Sequence, residues 1–258
     1  MTGPVPRVFG GDETAAGAVV MVHGIRVSSS MWLPHARRLV PDFRVSAPDL
    51  PGHGTLHGQT FPLAAAVEAL DAAVTEAHTA TGRRPLVVGM SLGGFVAMAH
   101  AADPPERVRG LLVCGSPART RGWKALAYST AARIDERRGE ERSAAANARL
   151  FHRHTSPECA EAVIAGGFAR HAFGEAVREL RRVDVLGLAA RLRVPTQFVN
   201  GRRDLLFRLD EQAFLKAVRG GGTPVRLAHA PGDHLFPLQD PDAFAALVRD
   251  THGRLPAD

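Results

Sequence analysis

Three side chains of the kinds that together activate a serine lie far apart along this chain. The first is Ser91, in Gly89-Met90-Ser91-Leu92-Gly93, preceded by the apolar run "LVVGM" and followed by the helix-like "LGGFVAMAHA". A G-x-S-x-G stretch between a strand and a helix makes a sharp turn, where glycines remove side chains that would collide and the serine Oγ stands clear of the sheet. Amides at the start of the following helix favour negative charge developing beside it. A glycine-rich turn with a solvated or helix-capping serine is the plainer reading of the same letters. The strand before and the helix after favour the nucleophile.

A serine hydroxyl is a weak nucleophile at neutral pH, so a base must take its proton and an acid must orient the base. His234, in "HAPGDHLFPLQDPDAF", falls between the last strand-like and the last helix-like segments and is the candidate base. His229 sits within or at the end of that strand, where a packed or surface histidine is the better reading. For the acid, "VPTQFVNGRRDLLF" puts Asp204 just past a strand, giving the chain order Ser, Asp, His. The strand after the elbow ends in "LLVCGSPA", with Cys114 and Ser116 but no carboxylate, which strengthens Asp204; Asp210 and Asp233 are weaker alternatives. Acyl transfer also needs donors for an oxyanion. In "VVMVHGIRVSSSMW" a strand ends at His23-Gly24, after which the Ile25 amide can face the elbow; the Leu92 amide is the second donor. His23 is expected to matter through its backbone position rather than its ring.

The elements that must position these groups follow from the apolar pattern. Short apolar runs bounded by Gly, Pro or Asp predict strands over 18–23, 43–47, 86–90, 111–114, 196–200 and 225–228. Their lack of strict alternation fits parallel strands buried on both faces. Longer amphipathic stretches predict helices over 31–39, 62–79, 92–101, 211–218 and 242–251. The alternation implies an α/β fold, a mostly parallel central sheet flanked by helices. It stops between 116 and 184, where the sequence reads as helices over 121–138, 142–152, 157–169 and 174–182, a helical insertion.

Composition narrows the class further. The 258 residues are 45% hydrophobic, enough to bury a full core. The formal charge of +6 is spread along the chain; residues 119–182 hold 13 Arg or Lys against 8 Asp or Glu, read as a solvated helical face. No clustered basic stripe points to nucleic acid, and no apolar run approaches the length of a membrane span. Two cysteines, Cys114 and Cys159, make neither a disulfide framework nor a metal site. The start "MTGPVPRVFGGDETAAG" lacks a secretory pattern, so a cytoplasmic protein, monomer or homodimer, is expected.

Taken together, "VHGI" followed by Trp32, "APDLPGHG" at 47–54, "GMSLGG" at 89–94, "VPTQFVNGRRD" at 194–204 and "GDHLFPLQDP" at 232–241 resemble the α/β-hydrolase fold superfamily, among its serine-nucleophile, cap-bearing members. The resemblance runs from about Val19 to Asp250. It implies a triad of Ser91, Asp204 and His234, a core of residues 1–116 and 184–258, and a helical cap at 117–183 over the site. It also gives Asp49, Gly52 and Gly54 structural roles in a turn. The opening hairpin of such proteins is shortened here, to a strand over 5–9 at most. Serine at 91 argues against dehalogenase and epoxide-hydrolase chemistry. The implied activity is hydrolysis of a carboxylic ester, lactone or thioester of a small to medium substrate, with no metal or organic cofactor. Met90, Trp123, Tyr128, Phe207 and Leu235 are expected to contact the substrate, and the cap aromatics Phe151, Phe168 and Phe173 to serve pocket or core. A lyase or acyltransferase with the same triad is the alternative, and a receptor without turnover a third.

Overall fold

The computed structural model describes residues 5–11, 13–103 and 107–256. Seven strands form one sheet: β1 (Arg7–Gly10), β2 (Gly17–Val22), β3 (Phe43–Ala47), β4 (Leu86–Met90), β5 (Gly110–Cys114), β6 (Thr196–Gly201) and β7 (Val225–Ala230). Their order is β1-β3-β2-β4-β5-β6-β7, with β1 antiparallel to β3 and every other pair parallel. The first strand starts two residues later than the 5–9 expected from sequence and is bulged between Val8 and Gly10.

Successive strand residues face opposite ways, so one sheet feeds two cores. Val20, Val22 and Val87 pack with α2 (Leu63–Thr81), α3 (Leu92–Ala101), α8 (Val185–Arg191) and α10 (Glu211–Gly220). Val19, Met21 and Val88 pack with α1 (Leu33–Leu39), α11 (Phe236–Gln239) and α12 (Pro241–Gly253). The longest helix shows why the pattern reads as it does. In α2 the buried residues are Ala66, Ala69, Leu70, Ala73, Val74 and Ala77, a stripe at helical spacing, and the helix stops at Gly82, whose φ of 66° suits glycine.

Between β5 and β6 the chain forms α4 (Trp123–Arg138), α5 (Glu140–His154), α6 (Pro157–Ala165) and α7 (Arg170–Arg182). The third of these ends four residues before the predicted 169, at Gly166-Gly167, and the fourth begins at Arg170 rather than 174. The helices α9 (Leu205–Arg208) and α11 escape sequence reading because four residues are too few to show a period, and the seven-residue α8 escapes it too. Among the described residues no helix is long and apolar enough to cross a membrane.

Candidate active site

Ser91 joins β4 to α3 at φ 53° and ψ −115°, a conformation that costs a non-glycine residue of order 1–3 kcal/mol and is held only by its surroundings. Those surroundings are on hand. The Ser91 amide donates to Cys114 O at 2.8 Å, and the buried Ser116 hydroxyl donates to Ser91 O at 2.8 Å, sharing its proton with Cys114 O at 3.0 Å. The turn has no room for side chains beside the serine: a Cβ on Gly93 would fall on Val22 O, and one on Gly89 would lie 2.5 Å from Gly93 O. Leu92 is the first residue of α3, where an amide has no acceptor within its own helix.

His234 follows β7 and Asp204 follows β6; His234 Nδ1 and Asp204 Oδ2 are 2.7 Å apart, with Asp204 only 6% exposed. Phe207 stacks on the His234 ring at 4.3 Å with 24° between planes, which fixes the imidazole from its face while Asp204 fixes its edge. The loop bearing His234 is braced by Asp233, whose Oδ1 accepts from the Leu235 amide and from Gln239 Nε2, each at 2.9 Å. The weaker acid candidates are therefore engaged elsewhere: Asp233 in that brace, Asp210 with Lys124 Nζ at 2.6 Å. His229 pairs with the buried Glu211 at 2.9 Å, a packing role.

The turn after β2 is built on two buried histidines. His23 Nδ1–H donates to Gly24 O at 2.8 Å, while its Nε2 accepts from the Leu50 amide at 3.0 Å. Because a trans peptide points its C=O and N–H in opposite directions, anchoring Gly24 O turns the Ile25 N–H away from His23. The ring of His23 thus matters as much as its backbone, which corrects the expectation from sequence. His53 repeats the arrangement: Nδ1–H donates to Pro51 O at 2.9 Å and Nε2 accepts from the Arg26 amide at 3.3 Å. Burial lowers the pKa of both rings, that of His53 to about 3, and both roles require the neutral form. Asp49 closes the same region, accepting from Ser29 N at 2.8 Å and from Thr55 N and Oγ1 at 2.9 Å. Burial would raise its pKa, but the Ser29 and Thr55 amides outweigh it and hold the carboxylate below its ordinary range.

Ser91 lies at the junction of two open cavities, each with about 560 Å³ of empty space counting the solvent at its mouth. One is apolar, walled by Leu92, Phe95, Tyr128, Val177, Leu180 and Phe207, with Arg119 and Lys124 also on its boundary. The other contains His234, Met90, Leu235, Phe151, Asn147 and Arg26. Ile25 borders both. Met90, Tyr128, Phe207 and Leu235 thus face the space around Ser91. Trp123 does not: it sits on the first turn of α4, 63% exposed, while Lys124, Ala125 and Tyr128 occupy the inward face of that helix. Phe173 packs against Ala132 and Val177, and Phe168 stacks on Phe151 at 5.9 Å. Sequence reasoning missed Ser116, the His23 ring, Arg26 and Asn147, for which no local pattern exists. Among the described residues no cluster of three or more His, Cys, Asp or Glu could hold a metal ion.

Residues 19–247 match the model of the alpha/beta hydrolase family. The chain belongs to that family. This hydrolase-family chain is 30% identical to a pimeloyl-[acyl-carrier protein] methyl ester esterase of Xanthomonas oryzae pv. oryzae, over 83% of this chain and 90% of the relative. It is 28% identical to the protein of the same name from Stenotrophomonas maltophilia, over 93% of this chain and 95% of that one. Its fold is shared with a hydrolase from Pseudomonas aeruginosa PA01 at a TM-score of 0.75 and 22% identity, covering 96% and 93% of the two chains.

Proposed function

We propose that this alpha/beta hydrolase is a serine esterase that forms an acyl-enzyme on Ser91. The observation that carries the reading is the 2.7 Å contact between His234 and Asp204 beside a serine held at positive φ. In the first step Ser91 Oγ bonds to the ester carbonyl carbon as its proton passes to His234 Nε2. The carbonyl π pair becomes an alkoxide, held by the Ile25 and Leu92 amides, and Asp204 stabilises the imidazolium. The carbon–oxygen bond to the leaving group then breaks and His234 returns the proton to the departing alkoxide. Water repeats the cycle in reverse roles, freeing the acid and Ser91.

The two cavities give this chemistry a direction. The leaving oxygen must receive its proton from His234, so the leaving group occupies the cavity that His234 borders, beside Arg26 and Asn147. The acyl chain then takes the apolar cavity, whose walls are mostly hydrocarbon. Both named relatives act on an ester of a pimeloyl chain, and a medium-length acyl ester fits the same division of space. In this reading the helices of 117–183 serve as a cap that walls the acyl cavity.

The test is hydrolysis of a p-nitrophenyl ester series of rising acyl length by wild type and Ser91→Ala. Serine-dependent turnover with an optimum at medium chain length is the expected result. Labelling of Ser91 by a fluorophosphonate without turnover of any ester would sink the esterase reading.

A further inference from the structure

The turn that carries the Ile25 amide is gripped from two directions. From the core come the bonds of His23 to Gly24 O and of the Arg26 amide to His53. From the insertion come four more. The Ile25 side chain packs against Ala132, Phe173 and Val177 of α4 and α7. The Ala169 amide donates to Arg26 O at 2.8 Å. The Arg26 guanidinium lies 2.8 Å from Asp135 Oδ1 of α4 and 4.4 Å over the Phe173 ring of α7. Asp135 itself is buried and receives the Ser143 hydroxyl of α5 at 2.7 Å.

Arg26 also stands at φ 73°, in the left-handed region that side chains other than those of Gly, Asn and Asp avoid. Nothing in an arginine favours that conformation, so it is imposed by the contacts at its two backbone groups and its head. Three helices of the insertion therefore hold, through one residue, a strained backbone immediately after the proposed oxyanion donor.

We propose that Arg26 is a positioning residue that makes the Ile25 oxyanion donor depend on how the insertion helices are seated. With Asp135 and Phe173 in contact, Arg26 stays left-handed and the turn holds Ile25 N–H toward Ser91. When α4 or α7 shifts, Arg26 loses its anchors, relaxes toward an ordinary conformation, and the peptide before it is free to rotate. The inference rests on the reading of Ile25 as a donor in an ester hydrolase. It adds that the insertion acts on catalysis itself, beyond shaping the cavity.

The experiment compares wild type, Asp135→Asn, Arg26→Ala, Arg26→Lys and, as a control, Asp210→Asn. Asp135 borders neither cavity, and its substitution is isosteric, so it carries the test where Arg26→Ala fails to fold. The control breaks the Lys124–Asp210 pair, which also links α4 to the core but does not touch the turn. For each variant kcat and KM are measured on a p-nitrophenyl ester. Affinities are measured for a trifluoromethyl ketone, whose adduct with Ser91 carries an alkoxide, and for the matching ether, which has no carbonyl.

Asp135→Asn and Arg26→Ala are expected to lower kcat by about 10- to 100-fold, short of the roughly 100- to 1,000-fold loss when a donor is removed outright. For Asp135→Asn, which borders neither cavity, KM and ether affinity should stay within about twofold, and ketone affinity should fall in step with kcat/KM. Arg26→Lys, which can still reach Asp135, should recover most of the loss. Asp210→Asn should leave the ketone-to-ether ratio at its wild-type value. If Asp135→Asn weakens ketone and ether alike, or raises KM while kcat is kept, Arg26 is structural only and the proposal falls. A wild type with no ester turnover and no ketone binding removes the esterase reading instead, and that is seen without any variant.

Discussion

Acidification from about pH 7 to about pH 5 is expected to cost the fold about 2 kcal/mol through His53 alone. In the unfolded chain this imidazole titrates near its ordinary value of 6.5 and takes up a proton across the interval. In the folded protein burial pushes it down to about 3, so it stays neutral. The unfolded state therefore binds more protons and stability rises with pH. The contribution is complete above about 6.5 and is lost as pH falls toward the folded value. Roughly 1.5 pH units of that window lie above pH 5, and at about 1.4 kcal/mol per unit the loss is about 2 kcal/mol. Any folded value well below 5 gives the same figure. Asp49 and Asp135, both held low in the fold, lose their contribution only below about pH 4 and do not enter. The assay is urea unfolding of wild type and His53→Gln at the two pH values. The variant's own fixed cost cancels in the difference, and it should lose about 2 kcal/mol less than wild type on acidification. Equal losses would mean that His53 accepts a proton in the folded protein, and the account of the turn as resting on a neutral ring would be wrong.

His35, buried with Nε2–H donating to Pro237 O at 2.7 Å and its pKa lowered to about 4, should behave the same way in His35→Gln, by the same unfolding measurement. Asp204→Asn, which preserves shape but not the charge facing His234, is expected to lower kcat by about 10⁴-fold with the protein still folded, read by ester turnover beside circular dichroism. Gly93→Ala places a methyl group on the Val22 carbonyl and should leave little soluble protein, checked by yield and thermal unfolding. Trp123→Ala should leave kcat/KM on short p-nitrophenyl esters within about twofold, since this mostly exposed side chain borders neither cavity at Ser91.

What could be read from the letters follows from what is local. The elbow is legible because its constraints are steric and fall within five residues: Gly89 and Gly93 stand where a Cβ would meet backbone. Asp204 and His234 are legible because each follows a strand of recognisable composition, and adjacent strands β6 and β7 bring their ends together. The sheet was legible too, from runs of Val and Leu that are buried on both faces. Contacts between segments remote in sequence were not. Ser116 reads only as a serine without an acid, yet it anchors the Ser91 carbonyl. Phe207 reads as a cavity residue, and it also stacks on His234. Arg26 reads as one basic residue in a loop, and its φ and its partner Asp135 exist only once α4 has packed over β2's end. Trp123 misleads because helical spacing alone cannot say which face of α4 turns inward.

The tether from Ser91 to the neighbouring strand sets the order in which the molecule can fail. The serine's amide and carbonyl are tied to residues 114 and 116, at the end of β5 inside the sheet, whereas more than half of the apolar cavity's lining comes from residues 118–180, α4 and α7 among them. The backbone geometry of Ser91 is thus a property of the sheet, whereas discrimination among substrates and, through Arg26, the setting of the Ile25 amide answer to the helices of the insertion. On warming, the protein should become indiscriminate before it becomes inert.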